Sequence, residues 1–132
     1  MDDGLREQVQ EWLAHARQDS EAAALIMRDR GPAGAAAMHI QQAIEKHLKA
    51  LVVSHDEAPR RTHNLAVLLD EAAQHVPRLS EHQELCERAT RYYATHRCPP
   101  GPPPAYAWEV LEADLCEAQA LASMIVAHIE AM

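Results

Sequence analysis

The sequence predicts an all-α protein, an antiparallel bundle of about five helices in a single domain spanning residues 1–132, on three observations. Apolar residues recur at three- and four-residue spacing through long segments, the mark of a helix face turned to a core. The apolar content is 48%, yet it comes from Ala, Leu, Ile, Val and Met with no Phe, a set suited to closely packed helices. No alternating strand pattern and no internal repeat stands out.

The first helix is expected over about residues 5–30, where Leu5, Val9, Trp12, Ala16, Ala23 and Met27 fall on one stripe. Gly31-Pro32-Ala33-Gly34 ends it. The second, about 35–54, aligns Ile40, Ala43, Ile44, His47, Leu48 and Leu51, with Glu45, Lys46 and Lys49 mostly off that stripe. A loop runs through Pro59. The third helix carries Leu65, Leu68, Leu69 and Ala72 and stops near Pro77. Ser80-Glu81-His82-Gln83 reads as a capping box, with Ser80 at the cap and Gln83 three residues on, opening a fourth helix that runs to about residue 96. The tract Cys98-Pro99-Pro100-Gly101-Pro102-Pro103-Pro104 stops it, since proline lacks the N–H and clashes with the preceding turn. The fifth helix, about 105–131, keeps Leu111, Leu115, Ala118, Ala122, Ile125 and Ile129 in register.

Composition narrows the function classes. No apolar run approaches the ~20 residues of a membrane span, and the acidic opening Met1-Asp2-Asp3-Gly4 has no secretory character. A cytoplasmic protein without membrane partners is expected. The cysteines, Cys86, Cys98 and Cys116, are odd in number and form no C-x-x-C pair, so reduced thiols are expected. The net charge of -8 argues against broad, non-specific nucleic-acid binding. Charge is unevenly placed, however: residues 98–132 have five acids and no Lys or Arg, whereas 88–97 hold Arg88, Arg91 and Arg97 and no acid. A nucleic-acid function would need a local pocket there.

Three blocks, in order, carry a resemblance. His39-Ile40-Gln41-Gln42-Ala43-Ile44-Glu45-Lys46-His47-Leu48-Lys49-Ala50-Leu51 resembles the signature second helix of HEPN domains, a Gln-Gln-Ala-x-Glu-Lys-x-x-Lys-Ala-Leu run. Arg61-Thr62-His63-Asn64-Leu65 is similar to the family's Arg-Thr-His-Asp-Leu block, with Asn64 for Asp. Tyr93-Ala94-Thr95-His96-Arg97-Cys98-Pro99 resembles its Tyr-x-x-Thr-Arg-Tyr-Pro block, with His96 for Thr and Cys98 for Tyr. The resemblance covers nearly the whole chain. It implies a helical bundle that commonly dimerises and is often encoded beside a minimal nucleotidyltransferase, several such pairs acting as toxin and antitoxin. Active members are metal-independent RNases with an Arg-x(4–6)-His motif. Members lacking it are thought to bind nucleotides or to act as partners.

Arg91-Tyr92-Tyr93-Ala94-Thr95-His96 matches Arg-x4-His at the place where the family's motif sits. The chemistry is coherent: a 2′-hydroxyl attacks the adjacent phosphate, His96 moves a proton, and Arg91 neutralises charge on the phosphoryl oxygens. No metal or other cofactor is needed on that route. Five residues on a regular helix place the two about 140° apart, so a loosened last turn before Pro99 or a dimer with two pairs in one cleft is required. The plain alternative is an exposed Arg91 and a His96 facing the helix dipole. Arg88 and Arg97 are further phosphate contacts or solvated surface. Tyr92 and Tyr93 stack on bases or pack at a core edge.

His39 and His47 read as satisfied core or interface histidines, since no metal-ligand spacing accompanies them. His63 reads as a cap or packing residue. Glu45 and Lys49 read as a surface i,i+4 pair. In some relatives the partner enzyme silences the RNase by adding AMP to a tyrosine just behind the motif His. Cys98 stands there, which shifts any such control to Tyr92, Tyr93 or Tyr106. The leading expectation is an RNase toxin paired with a minimal nucleotidyltransferase antitoxin and acting as a homodimer with the end of helix four shared. The alternative is a non-catalytic subunit binding nucleotide or RNA.

Overall fold

The computed structural model describes residues 1–97, 101–102 and 105–132, without the side chains of 94–97. Five α-helices follow in order: α1 (Asp3–Arg28), α2 (Ala33–Ser54), α3 (Leu65–Ala73), α4 (Gln83–Arg97) and α5 (Trp108–Glu130), with a 3-10 helix over Pro77–His82 ahead of α4. No strand occurs among the described residues, so the all-α bundle inferred from periodicity is the fold. No described helix is long and apolar enough to cross a membrane.

α2 is the axis of the bundle. It lies along α1 and also touches α3, α4 and α5. Its sequence explains this, because small and apolar residues face every direction: Ala36, Ala37, Ile40, Ala43, Ile44, Leu48, Ala50 and Leu51 are all at most 1% exposed. A helix that is apolar all round is stable only when surrounded. Leu65, Leu69, Leu79, Leu85, Leu111, Leu121 and Ile125 close the core from the other elements. Each such side chain contributes roughly 1.5–3 kcal/mol by burial.

Helix ends differ from expectation in instructive ways. α1 stops at Arg28, and α2 starts at Ala33, so the Gly31–Gly34 punctuation is compressed into a few residues. The stop is made by Arg30, at φ 52°, with Arg30 N–H donating to Met27 O at 3.2 Å and Gly31 N–H to Ile26 O at 2.8 Å. This is the Schellman pattern. α2 ends the same way: Asp56 takes φ 59° and Glu57 N–H reaches back to Val52 O at 3.3 Å.

The expected Ser80 capping box does not form. Pro77 starts a 3-10 turn three residues earlier, Leu79 and His82 are buried by it, and Ser80 is left exposed inside the turn. Gln83 instead bonds Glu87 through its side-chain amide at 3.0 Å. α5 begins at Trp108, about three residues later than periodicity suggested. Of the proline tract expected to stop α4, residues 98–100, 103 and 104 lie outside the described residues.

Candidate functional site

The C-terminal half of α4 is held on two sides. On one side, Asp114 of α5 is only 2% exposed and receives two side chains from α4. Arg88 donates from Nε to Oδ1 at 3.1 Å and to Oδ2 at 3.2 Å, and from Nη2 to Oδ1 at 2.6 Å. The Tyr92 hydroxyl donates to Oδ2. A carboxylate removed from water is tolerable only when paired in this way. The bond to Asp114 raises the Arg88 pKa. Burial first, and then the same carboxylate, push the Tyr92 phenol up. The Tyr92 ring meets Tyr106 edge-on at 4.9 Å.

This arrangement shows where two of the expected site residues lie. Tyr92 is 3% exposed, with its ring inside the bundle, so no base can stack on it. The Arg88 guanidinium is turned to Asp114 as an α4–α5 clamp rather than presented to solvent as a phosphate contact. Asp114 had no signal in the sequence beyond being an acid on the apolar stripe of α5.

On the other side, α3 is docked against α4 by the Arg61–Leu65 block. Thr62 and Asn64 shape the turn: Asn64 N–H donates to Thr62 Oγ1 at 3.1 Å, and Asn64 Oδ1 caps α3 by accepting from Ala66 N at 3.0 Å and Val67 N at 3.4 Å. Asn64 therefore does the capping work that an Asp would do. Leu65 N–H donates to Thr90 Oγ1 of α4 at 2.9 Å.

His63, between these two residues, is turned back to α2. Its Nδ1 lies 2.9 Å from Glu45 Oε1, and its ring stacks on Tyr93 with centroids 4.0 Å apart and planes 19° from parallel. Glu45 is buried at 5%, which corrects its reading as half of a surface pair. The Lys49 ammonium is present at 3.3 Å, and Gln41 donates at 3.1 Å, so the carboxylate sits in a ring of donors. Tyr93 is half-buried beneath His63.

Arg91 is exposed on α4, between these two clamps in sequence. α4 stays α-helical through Arg97, so no loosened turn brings the motif residues together, and positions 91 and 96 stay about 140° apart around the axis. The side chains of His96 and Arg97 lie outside the described residues.

Six other histidines are partnered, His82 with Glu117 at 2.9 Å among them. His39 bonds Asp19 at 2.8 Å, and Lys46 meets the same carboxylate. His47 is buried, with Nδ1 2.8 Å from Ala43 O, and burial lowers its pKa. His55, His75 and His128 converge from α2, the segment after α3, and α5. The His55 and His75 rings stack at 3.8 Å, and His55 Nε2 is 3.0 Å from His128 Nε2. Glu57 bonds His75. Residues so far apart in sequence gave no local signal. Among the described residues no group of three or more His, Cys, Asp or Glu has metal-holding geometry. Cys86 and Cys116 are free thiols, and burial pushes Cys86 up to about 12. A surface hollow of about 460 Å³ is lined by Gln8, Glu11, Trp12, His15 and Lys46. These residues lie on α1 and α2, away from α4.

A family model described as the HEPN domain matches residues 9–130. No curated protein and no solved structure matches the chain.

Proposed function

The chain belongs to the HEPN domain family, and from that premise we propose that it is a metal-independent endoribonuclease, the toxin half of a pair with a minimal nucleotidyltransferase. The observation that carries the reading is an exposed Arg91 on α4, five residues before His96, within a HEPN match that spans residues 9–130. HEPN membership is consistent with RNase or nucleotide-binding activity. The Arg-x4-His pair favours the first.

The chemistry asks for few groups. The 2′-hydroxyl of RNA is the nucleophile, His96 moves a proton at neutral pH, and the planar Arg91 fork faces two phosphoryl oxygens as charge builds. No metal enters this route. The angular separation on a regular α4 is met by two chains, with Arg91 of one and His96 of the other in a shared cleft. That makes the homodimer part of the proposal.

The same separation also favours a second reading, a non-catalytic subunit that binds nucleotide or RNA and partners a nucleotidyltransferase. RNA cleavage by the purified chain in EDTA, with a 2′,3′-cyclic phosphate product, is the expected result for the RNase. Cleavage that needs added magnesium sinks the mechanism. No cleavage of any RNA, with or without the partner enzyme, leaves the binding subunit.

A further inference from the structure

The geometry points to His63 as a second proton-transfer residue of the RNA-cleaving centre, with Glu45 as the residue that positions it; this rests on the RNase reading above. Attack by a 2′-hydroxyl moves two protons, one off the nucleophile and one onto the leaving 5′-oxygen. The Arg-x4-His pair offers a single imidazole. His63 is the histidine packed against α4 close to that pair: its ring lies on Tyr93, which stands three residues, or about 4.5 Å of rise, before His96.

The setting of His63 is that of an oriented imidazole. Glu45 accepts only, so the 2.9 Å contact fixes a proton on Nδ1 and leaves the lone pair of the neutral ring on Nε2. The Glu45 side chain is 7% exposed and that of His63 is 52% exposed, so a buried anion holds a ring that solvent and substrate reach. Gln41 and Lys49 keep the carboxylate from turning away. Packing alone does not ask for this. On a helix whose buried positions are mostly Ala, Ile, Leu and Val, an apolar residue at position 45 would be as stable or more so, because burying a charge carries a desolvation cost.

In the step, His63 Nε2 takes the proton from the 2′-hydroxyl as the 2′-oxygen forms its bond to phosphorus. The bond from phosphorus to the 5′-oxygen breaks, and His96 delivers a proton to that oxygen while Arg91 faces the phosphoryl oxygens. The products are a 2′,3′-cyclic phosphate and a 5′-hydroxyl, and water returns both imidazoles to their starting states.

The test uses the full chain and an RNA oligonucleotide with one scissile linkage, either normal or with bridging 5′-sulfur. A thiolate leaves without a proton, so the sulfur linkage removes the need for the acid but not for the base. His63→Ala and His63→Gln are expected to cut the normal linkage about 10²–10⁴-fold more slowly with unchanged KM, and His63→Gln, which keeps a donor for Glu45, is expected to hold the fold. The sulfur linkage restores His96→Ala and leaves both His63 variants slow. Glu45→Gln lowers kcat without raising KM, because it acts through His63 rather than on RNA. Wild-type cleavage with a His63→Gln rate equal to wild type overturns the assignment and leaves the RNase reading standing, as does sulfur rescue of the His63 variants. A wild type that cuts neither linkage overturns both.

Discussion

Arg88 and Asp114 form the link between α4 and α5, the guanidinium closing on both carboxylate oxygens at 2.6–3.2 Å while Tyr92 adds its hydroxyl. Asp114 is 2% exposed, so its charge depends on these donors. Arg88→Ala strands a buried anion and is expected to destabilise the fold by about 3 kcal/mol, the usual scale for breaking one side of a buried pair. Asp114→Asn should cost less, because an amide keeps an acceptor for Tyr92 and carries no charge. Chemical denaturation of both variants measures this. An unchanged midpoint for Arg88→Ala would return that residue to the list of phosphate contacts.

How much of this was legible in the sequence follows from the range of the interactions. The helices were visible because the apolar stripes of α1, α2 and α5 repeat locally, and the buried Ile40, Ile44, Leu111 and Ile125 fall on them. The Asn64 position at the start of α3 was visible in the Arg61–Leu65 block. Ser80 misled because a capping box is a four-residue pattern, and Pro77 with the buried Leu79 outweighed it. The partners of the polar residues were hidden: Glu45 meets a histidine 18 residues away, and Arg88 an acid 26 residues away. Nothing within a helix turn announces either pair. Glu45 reads as a surface residue because it lies with Lys46 and Lys49 mostly off the apolar stripe, whereas α2 is enclosed on every side.

The protein is expected to be a homodimer in solution. Trp12, Tyr93 and Trp108 stay partly exposed at the margin of the single core, and Leu25 and Val110 are 50% and 43% exposed. The argument from α4 is independent of these residues, since a regular helix separates positions 91 and 96 and a second copy restores a complete pair. Light scattering at high micromolar concentration should give twice the 14.7 kDa chain mass. A monomer mass counts against the shared cleft.

Acid should weaken the fold between about pH 7 and pH 5, through His47 and His55. Both have pKa values lowered below the ordinary 6.5, His47 chiefly by burial and His55 by burial and then by the neighbouring His75 and His128, with Glu57 opposing. A lowered histidine pKa means that the unfolded chain binds more protons, so stability is complete above about 6.5 and falls as pH drops toward the folded-state values. Each site contributes at most about 1.4 kcal/mol per pH unit. His55→Gln removes one titrating ring from the three-histidine cluster and should flatten the slope in this window. Melting curves of wild type and variant across pH 5–7.5 check it. Equal slopes would show that the cluster relaxes on protonation.

Activity and stability should separate at Arg91 and His96. Arg91 is exposed, so Arg91→Ala is expected to change stability by no more than about 0.5 kcal/mol. His96 stands at the penultimate residue of α4, where truncation costs little because few tertiary contacts depend on a helix end. Neither change should move the melting temperature far, yet each should abolish RNA cleavage, and growth inhibition as well if the chain is a toxin. Arg91→Lys is the sharper probe. It keeps the charge but not the planar fork, so poor rescue identifies two-point contact with the phosphoryl oxygens, and full rescue would reduce Arg91 to a source of positive charge. Mixing the two inactive single variants adds a test of the shared cleft. If Arg91 of one chain works with His96 of the other, a heterodimer of Arg91→Ala and His96→Ala holds one intact pair and one doubly deficient pair, and about half the activity per dimer returns. If each pair lies within one chain, no mixture of the two variants cleaves RNA.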